Sequence, residues 1–225
     1  AAAPAQVDQR MADKADQAAR ERAVDGGQQA EHGVLQADVG VRDAAGNGHK
    51  AAQHEEERGA DADGDNRWEN RKQASINMIN DQQPTLLGLQ EACPDQVAFL
   101  DSNLPDYKRI GVGREDGKAE GEMMAIYYRH GELEVIKSGT FWLSETPDEV
   151  SMGWDAACKR TCTWALFRSK ADGRNIAYMN THLDHMGPTA RRESIKLIVA
   201  KIAELFDADT PLFLTADFNS PDDDP

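Results

Sequence analysis

The sequence predicts an α/β domain built from two β-sheets packed face to face and flanked by helices. In the first half of the domain, short apolar runs such as Leu86-Leu-Gly-Leu89 alternate with helical patterns. Farther along, strand-like segments follow one another through short turns such as His130-Gly131, which is typical of antiparallel strands. A helix with a wide apolar stripe, from Thr189 to about Asp207, then precedes a last apolar run.

Each predicted element has a local reason. Apolar residues at a 3.6-residue spacing predict a helix that begins near Asn66 and ends before Pro84. Pro94 suits the first position of a second helix, which we expect to reach about Leu104. The predicted strands are Leu86 to Glu91, Tyr107 to Val112, Met123 to Arg129, Leu133 to Leu143, Arg160 to Phe167, Arg174 to His182 and Leu212 to Leu214.

Residues 1 to 65 differ in composition from the rest of the chain. They contain no Ile, Phe, Trp, Tyr or Cys and a single Leu. Such a segment buries too little apolar area to offset the entropy lost on ordering. We therefore predict a disordered or non-native leader over residues 1–65 and a domain over residues 66–225. One explanation for the composition is translation in a wrong reading frame upstream of about residue 61.

Charge and cysteine content narrow the functional classes. The net charge of −15 argues against a broad cationic surface for nucleic acid. Cys93, Cys158 and Cys162 suggest neither a disulfide framework nor a zinc site, because their number is odd and no CxxC spacing occurs. No apolar run of 18 residues and no signal segment is visible, so we expect a soluble monomer without a membrane span. The cellular compartment is not indicated.

Two predicted strands end in polar clusters. The apolar run that begins at Leu212 is followed by Asp217 and Asn219, and the strand that begins at Arg174 ends in Asn180-Thr-His182. Reactive groups of α/β proteins gather beyond the carboxyl ends of strands. The alternative is that these residues form ordinary turns, in which Asp, Asn and Ser are common.

These clusters resemble motifs of the endonuclease/exonuclease/phosphatase superfamily, the metal-dependent phosphoesterases related to deoxyribonuclease I. Leu89-Gln-Glu91, Asn180-Thr-His182 and Thr215-Ala-Asp-Phe-Asn219 resemble three of its motifs, in the family order. The resemblance extends from about Ala62 to Pro221. It implies a four-layer α/β/β/α fold like that of deoxyribonuclease I. We expect this fold to be incomplete, because the family's first strand with its Asn and its later Asp and Ser-Asp-His motifs are missing from the chain.

The resemblance also implies a role for each motif residue. Glu91 would hold Mg²⁺, or Mn²⁺ in its place, because a hard carboxylate oxygen suits such an ion. His182 would donate a hydrogen bond to a phosphate oxygen, with Glu122 orienting its ring. Asp217 would deprotonate the attacking water, and Asn219 would bind the phosphate. The alternatives are a structural histidine and solvent-exposed carboxylates at strand ends.

Three further residues are candidates for substrate binding. Arg160 is able to pair with a phosphate, although an arginine solvated at a strand end explains it equally well. Asp184 and His185 follow His182 closely and would line the pocket, or would cap the turn before Gly187. Trp154 is a weaker candidate for stacking on a ring, and we favour a role in anchoring its loop.

The predicted function is Mg²⁺-dependent hydrolysis of phosphodiesters or phosphomonoesters, with a phosphoester and, as one option, nucleic acid as the partner. Within the enzyme class, the alternatives are a sphingomyelinase-like activity and a sugar or inositol phosphate phosphatase. Outside it, the alternative is an inactive fragment or pseudoenzyme that acts at most as a binding module. Because the resemblance is partial at both ends, we expect the chain as written to bind Mg²⁺ weakly and to be marginally stable.

Overall fold

A computed structural model of the chain describes residues 34–38 and 67–220. The strands are β1 (Val34–Asp38), β2 (Leu86–Ala92), β3 (Tyr107–Ile110), β4 (Met123–Arg129), β5 (Leu133–Trp142), β6 (Thr161–Ser169), β7 (Asn175–His182) and β8 (Leu212–Asp217). The helices are α1 (Trp68–Gln82), α2 (Pro94–Asn103) and α3 (Pro188–Leu205). None of these three helices is both long and apolar enough to span a lipid bilayer.

The strands form two four-stranded sheets. Sheet A has the order β1-β2-β4-β3, and sheet B has the order β5-β6-β7-β8. Within sheet A, β1 is parallel to β2 and the other pairs are antiparallel. Within sheet B, β7 is parallel to β8 and the other pairs are antiparallel. Strands β2, β7 and β8 therefore bring their carboxyl ends, and the residues that follow, to one edge of the sandwich.

Three apolar clusters lie between four layers, which are the first two helices, sheet A, sheet B and α3. Residues Leu87 and Leu89 of β2 pack in one cluster with Trp68 and Leu100 of the first two helices. Leu86, which points to the opposite face of the same strand, packs between the two sheets. On the outer face of sheet B, the third cluster joins strand residues to α3 and its C-terminal end, with the members Phe141, Met179, Leu183, Ile198 and Phe206. The predicted two-sheet sandwich flanked by helices is thus confirmed.

Most helix and strand boundaries lie within two residues of the predicted ones. One strand, however, was not predicted. The sequence predicts no strand in residues 1–65, whereas Val34–Asp38 forms β1, parallel to β2. The prediction is wrong for these five residues, because the run is short and only Val34 and Leu35 in it are large and apolar, within a segment dominated by Ala, Gly and polar residues. The rest of the predicted leader lies outside the described residues. In α3, Ile195 is 36% exposed, so this apolar residue does not belong to the buried face of the helix.

The glycine-rich stretch Gly111 to Gly117 is an ordered turn. Backbone N–H groups of Gly113 and Arg114 donate to carbonyl groups on the returning side of the loop. The carboxylate of Asp116 accepts from the N–H groups of Lys118 and Glu120 at 2.8 and 2.9 Å. An aspartate that satisfies the backbone in this way stabilises a turn that glycine content alone would leave undefined.

A polar network crosses the space between the sheets beside Gly88 of β2. Asn180 of β7 donates to the carbonyl oxygens of Leu89 and Ala125 in sheet A at 2.7 and 3.1 Å. Its Oδ1 accepts from Thr215 of β8 at 2.9 Å. A Cβ atom on Gly88 would lie 2.4 Å from Oγ1 of Thr215, which is far below van der Waals contact. Glycine is therefore required at this position for the two sheets to approach.

Replacing Gly88 tests the network. We expect Gly88→Ala to lower the free energy of unfolding by about 1 to 3 kcal/mol, the usual cost of overpacking a core. Gly131→Ala is the matched control, because a Cβ atom there would have no other atom within 4 Å. The free energy of unfolding of this control should stay within about 0.5 kcal/mol of the parent value, as for surface substitutions. Urea unfolding followed by circular dichroism measures both. Equal effects of the two substitutions would contradict the role of Gly88.

Candidate active site

His182 is the centre of the candidate active site. It ends β7 with 2% of its surface exposed, and it pairs in register with Asp217, the last residue of β8. Its Nε2 lies 3.8 Å from Oδ2 of Asp217, and its Nδ1 lies 3.5 Å from Oε1 of Glu91 in β2. The structure therefore brings three of the predicted site residues together, with a buried imidazole between two carboxylates.

Asn219 fixes the tautomer of His182. Its Nδ2 lies 2.9 Å from the carbonyl oxygen of Leu183 and 2.7 Å from Nε2 of His182. An amide nitrogen only donates, so Nε2 of His182 is the acceptor and the ring hydrogen is on Nδ1. That Nδ1 makes no hydrogen bond to any described residue. A buried donor without an acceptor is unusual in a folded protein, and it would be satisfied by an oxygen atom entering the site.

The protonation state of His182 agrees with this tautomer. Burial, and next the positive charge of Arg160, lowers the pKa of His182 to about 4. The nearby carboxylate of Asp217 acts in the opposite direction but does not outweigh burial. The imidazole is therefore neutral at neutral pH, as it must be for Nε2 to accept a hydrogen bond from Asn219.

Glu91 has a backbone conformation that is rare for its residue type. Its φ is +55°, in the left-handed region, and it lies at an irregularity in the pairing of β2 with β4 between Leu89 and Ala92. Asn219 is also left-handed, with φ of +47°. Such strain concentrates at functional sites, where the surrounding structure holds it in place. Here the irregularity directs Glu91 toward His182 instead of continuing the strand alternation.

The oxygen donors at this edge suit a hard divalent cation. The side chains of Glu91 and Asp217 are 27% and 37% exposed, so both carboxylates are open to solvent while the imidazole between them is buried and neutral. Mg²⁺ prefers such oxygen ligands and keeps several of its waters. The donors present therefore fit the metal that the sequence predicted.

Glu122 does not make the contact that the sequence predicted. It precedes Met123, which pairs with Ala92, and so it lies at the Glu91 edge of sheet A. Its carboxylate accepts a hydrogen bond from Nη1 of Arg114 at 2.5 Å, and among the described residues it makes none to His182. The structure thus assigns the contact with the imidazole to Asn219. Arg114 was missed, because a salt bridge between two positions eight residues apart in a loop leaves no periodic signal.

Arg160, Asp184 and His185 form a second group beside the first. Asp184 is 1% exposed and accepts from the backbone N–H groups of Met186 and Gly187 at 2.9 and 2.7 Å. It also accepts from Nε of Arg160 at 3.4 Å. The Nη2 atom of Arg160 lies 3.0 Å from Nδ1 of His185. Asp184 therefore caps the turn, which was one of the two alternatives, and it holds a buried arginine next to His182.

The same group brings Cys158 close to Asp184 and His185, with their ligand atoms within 4.8 Å of one another. This cluster does not fit a metal. The oxygens of Asp184 already accept hydrogen bonds from three backbone N–H groups, and a guanidinium group lies beside them. Burial raises the pKa of the Cys158 thiol above its usual value, which disfavours the thiolate that a metal needs.

Comparison with known proteins identifies the family. The family model described as Endonuclease/Exonuclease/phosphatase family matches residues 54–225. The chain belongs to this family. Its members in the comparisons include phosphoester hydrolases, so the resemblance that the sequence motifs suggested is confirmed at the level of family and fold.

Three relatives show the extent of the match. The endonuclease/exonuclease/phosphatase from Bacteroides vulgatus is 45% identical with a TM-score of 0.70, over 72% of this chain and 62% of that one. A mannosyl-6-phosphatase from Bacteroides thetaiotaomicron is 36% identical with a TM-score of 0.70, over 84% of this chain and 66% of that one. An uncharacterised protein of Acanthamoeba polyphaga mimivirus is 28% identical over 69% of this chain and 60% of that one. The chain thus spans less than two thirds of the length of these relatives.

The strain at Glu91 can be measured. Glycine adopts positive φ freely, so Glu91→Gly should leave the free energy of unfolding unchanged or raise it by up to about 1 kcal/mol. Glu134→Gly, at an exposed position of β5, should lower it by about 0.5 to 1 kcal/mol, the usual cost of glycine in a strand. Thermal or urea unfolding of both variants is the measurement. A loss at Glu91 as large as that at Glu134 would mean that Glu91 is not strained.

Proposed function

We propose that the chain hydrolyses phosphate monoesters of small molecules, with sugar phosphates as the substrate class, by metal-assisted attack of water. The observation that carries the proposal is the neutral His182, fixed by Asn219 and lying between Glu91 and Asp217. Its unsatisfied Nδ1–H is a ready donor to a phosphoryl oxygen. A donor that is already oriented costs no reorganisation when negative charge develops on that oxygen.

Asp217 and Asn219 act on the water and the substrate in this proposal. Asp217 is the most exposed of the central groups, so its carboxylate is accessible to a water molecule and is able to take a proton from it. Its Oδ1 accepts from the backbone N–H of Asn219 at 2.9 Å, which fixes the position of the carboxylate. The side chain of Asn219 keeps the His182 ring in the orientation that presents Nδ1.

Glu91 would hold Mg²⁺, with Mn²⁺ as an alternative. When bound, such an ion polarises the phosphoryl group and lowers the pKa of coordinated water, which a carboxylate base alone does not achieve. The chain itself contributes the left-handed backbone conformation that presents Glu91. It also places the buried, neutral ring of His182 beside this carboxylate, so no protonated histidine competes with the metal ion.

Arg160 would bind the phosphate. Two of its nitrogen atoms are held by Asp184 and His185, and its Nη1 makes no hydrogen bond to a described residue. A guanidinium that is held in place by two partners is well suited to a phosphate oxygen, because little side-chain entropy remains to be lost. Asp184 would support this binding indirectly, by accepting a hydrogen bond from Nε of Arg160 and so holding the guanidinium in place. His185 would contact the substrate, since its ring is exposed.

The substrate class rests on two further observations. The chain is 36% identical to a protein described as a mannosyl-6-phosphatase, over 84% of its length. Its net charge of −15 disfavours long polyanions, which are bound through many cationic contacts, more than it disfavours a single phosphate. Both observations favour a small monoester over a nucleic-acid strand.

Replacing the base tests the mechanism. We expect Asp217→Asn to lower kcat by about 10² to 10⁴ with little change in KM, the range for a positioned general base. Asp207→Asn, an exposed aspartate after α3, is the control and should leave kcat within about twofold of the parent. Steady-state kinetics on p-nitrophenyl phosphate provide the measurement. A near-normal kcat for Asp217→Asn would remove this residue from the role of base.

A substrate panel tests the proposal as a whole. The panel contains mannose 6-phosphate, p-nitrophenyl phosphate, bis(p-nitrophenyl) phosphate and a single-stranded oligonucleotide, each with Mg²⁺ and with EDTA. We expect turnover of the two monoesters to exceed that of the diesters by at least about tenfold, a difference of about 1.4 kcal/mol in activation free energy. EDTA should abolish turnover of the monoesters. Glu91→Gln should remove the increase in turnover that Mg²⁺ produces in the parent. Preferred turnover of the oligonucleotide would favour a nuclease, and no turnover of any substrate would favour a binding module.

A further inference from the structure

Two loops adjoin residues of the site. The first loop, residues 113–122, ends at Glu122, which precedes the Met123 that pairs with Ala92 beside Glu91. The second loop, residues 151–159, precedes Arg160, which is held by Asp184 and His185. One loop therefore adjoins the proposed metal side of the site, and the other adjoins the proposed phosphate side.

The first loop is fixed to the end of β5. The indole nitrogen of Trp142 donates to the carbonyl oxygen of Arg114 at 2.9 Å. Gly117, with φ of +69°, lies so close to the same indole that a Cβ would be 3.2 Å from its ring. The backbone bonds across the loop and the carboxylate of Asp116 complete its ordering. The base of this loop is thus held without help from the second loop.

The second loop is fixed to the start of α3. Asp155 accepts from the backbone N–H groups of Ala190 and Thr189 at 2.6 and 3.3 Å, and so caps the helix from outside. The N–H of Ala157 donates to Asp184 at 3.1 Å. Trp154 lies in a left-handed conformation with its N–H shared between the carboxylate oxygens of Glu145. This loop also has its own anchor.

An ion pair joins the two loops. Nζ of Lys159 lies 2.5 Å from Oε2 of Glu115, and the side chains of the two residues are 29% and 38% exposed. The other oxygen of Glu115 lies 3.5 Å from Nε of Arg114, which pairs in turn with Glu122. A row of alternating charges therefore runs from the edge of sheet A to the residue before Arg160. Because both loops are already ordered, forming the pair costs less entropy than an isolated surface pair does.

We propose that the ion pair between Glu115 and Lys159 closes the rim of the site and determines substrate size. It favours a phosphate at the end of a small molecule and excludes a nucleic-acid strand, which needs a groove that is open on both sides. This inference rests on the proposed hydrolysis of small monoesters and adds the residues that select for them.

The variants Glu115→Gln and Lys159→Gln break the pair, and each has a control with the same change of charge in the first loop. The controls are Glu120→Gln and Lys118→Gln, both at exposed positions. The measured quantity is a selectivity ratio: kcat/KM for a single-stranded oligonucleotide divided by kcat/KM for p-nitrophenyl phosphate. We expect this ratio to be about tenfold higher for each test variant than for its control. The double variant should match the single variants, because the pair acts as a unit. Ratios equal to the controls, or additive effects in the double variant, would overturn the proposal.

Two measurements test the rim without turnover. Fluorescence anisotropy with a labelled oligonucleotide should show tighter binding for each test variant than for its control. Amide hydrogen exchange should become faster in both loops together when either residue of the pair is replaced. Unchanged exchange in the partner loop, or unchanged affinity, would refute the closure. If the parent chain hydrolyses no phosphoester, the proposed function fails, while these two measurements still decide whether the rim excludes a strand.

Discussion

The candidate site depends on one buried amide, the side chain of Asn180. This residue is fully buried, and its Nδ2 donates to the carbonyl oxygens of two strands in sheet A, while its Oδ1 accepts from Gln90 and Thr215. Gln90, Asn180 and Thr215 each lie one or two residues before a site residue, namely Glu91, His182 and Asp217. The network therefore sets the relative positions of three strand ends. An apolar contact would hold the sheets together equally well, but it would not fix their register at this edge.

The site is therefore locally strained, whereas the strand residues that support it are buried and hydrogen-bonded. Glu91 and Asn219 have left-handed backbones, and His182 is buried with an unsatisfied donor. Each of these features is unfavourable by itself, by an amount on the order of 1 to 3 kcal/mol. The folded chain tolerates them because Gln90, Asn180 and Thr215, which lie one or two residues before site residues, are buried and hydrogen-bonded to one another between the sheets. Oriented groups of this kind are what catalysis by fixed dipoles requires.

The sequence was sufficient to predict the fold, and three of the residues it proposed for a site, Glu91, His182 and Asp217, lie together in the structure, but it did not predict the contacts among the proposed residues. Strands such as β2 and β7 were predictable because their apolar runs end in short polar motifs, and the resemblance ordered those motifs. The contact of His182 with Asn219, in contrast, depends on the register of β7 with β8, and the partner of Glu122 depends on how one loop folds back. Neither leaves a periodic trace. The segment Val34–Asp38 was missed because it is short and its two large apolar residues, Val34 and Leu35, stand within a segment dominated by Ala, Gly and polar residues.

The distribution of charge explains how an acidic chain can favour a phosphate. The chain has 40 acidic and 25 basic residues, so a long polyanion is repelled along its whole length. At the site, however, Arg114, Lys159 and Arg160 lie in a short arc, each held by a carboxylate. Their attraction acts over about 8 to 10 Å at physiological salt, a distance that covers one phosphate group but not a strand of several nucleotides. In the proposed function, local cations in an acidic surface would therefore favour ligands whose negative charge is confined to one end.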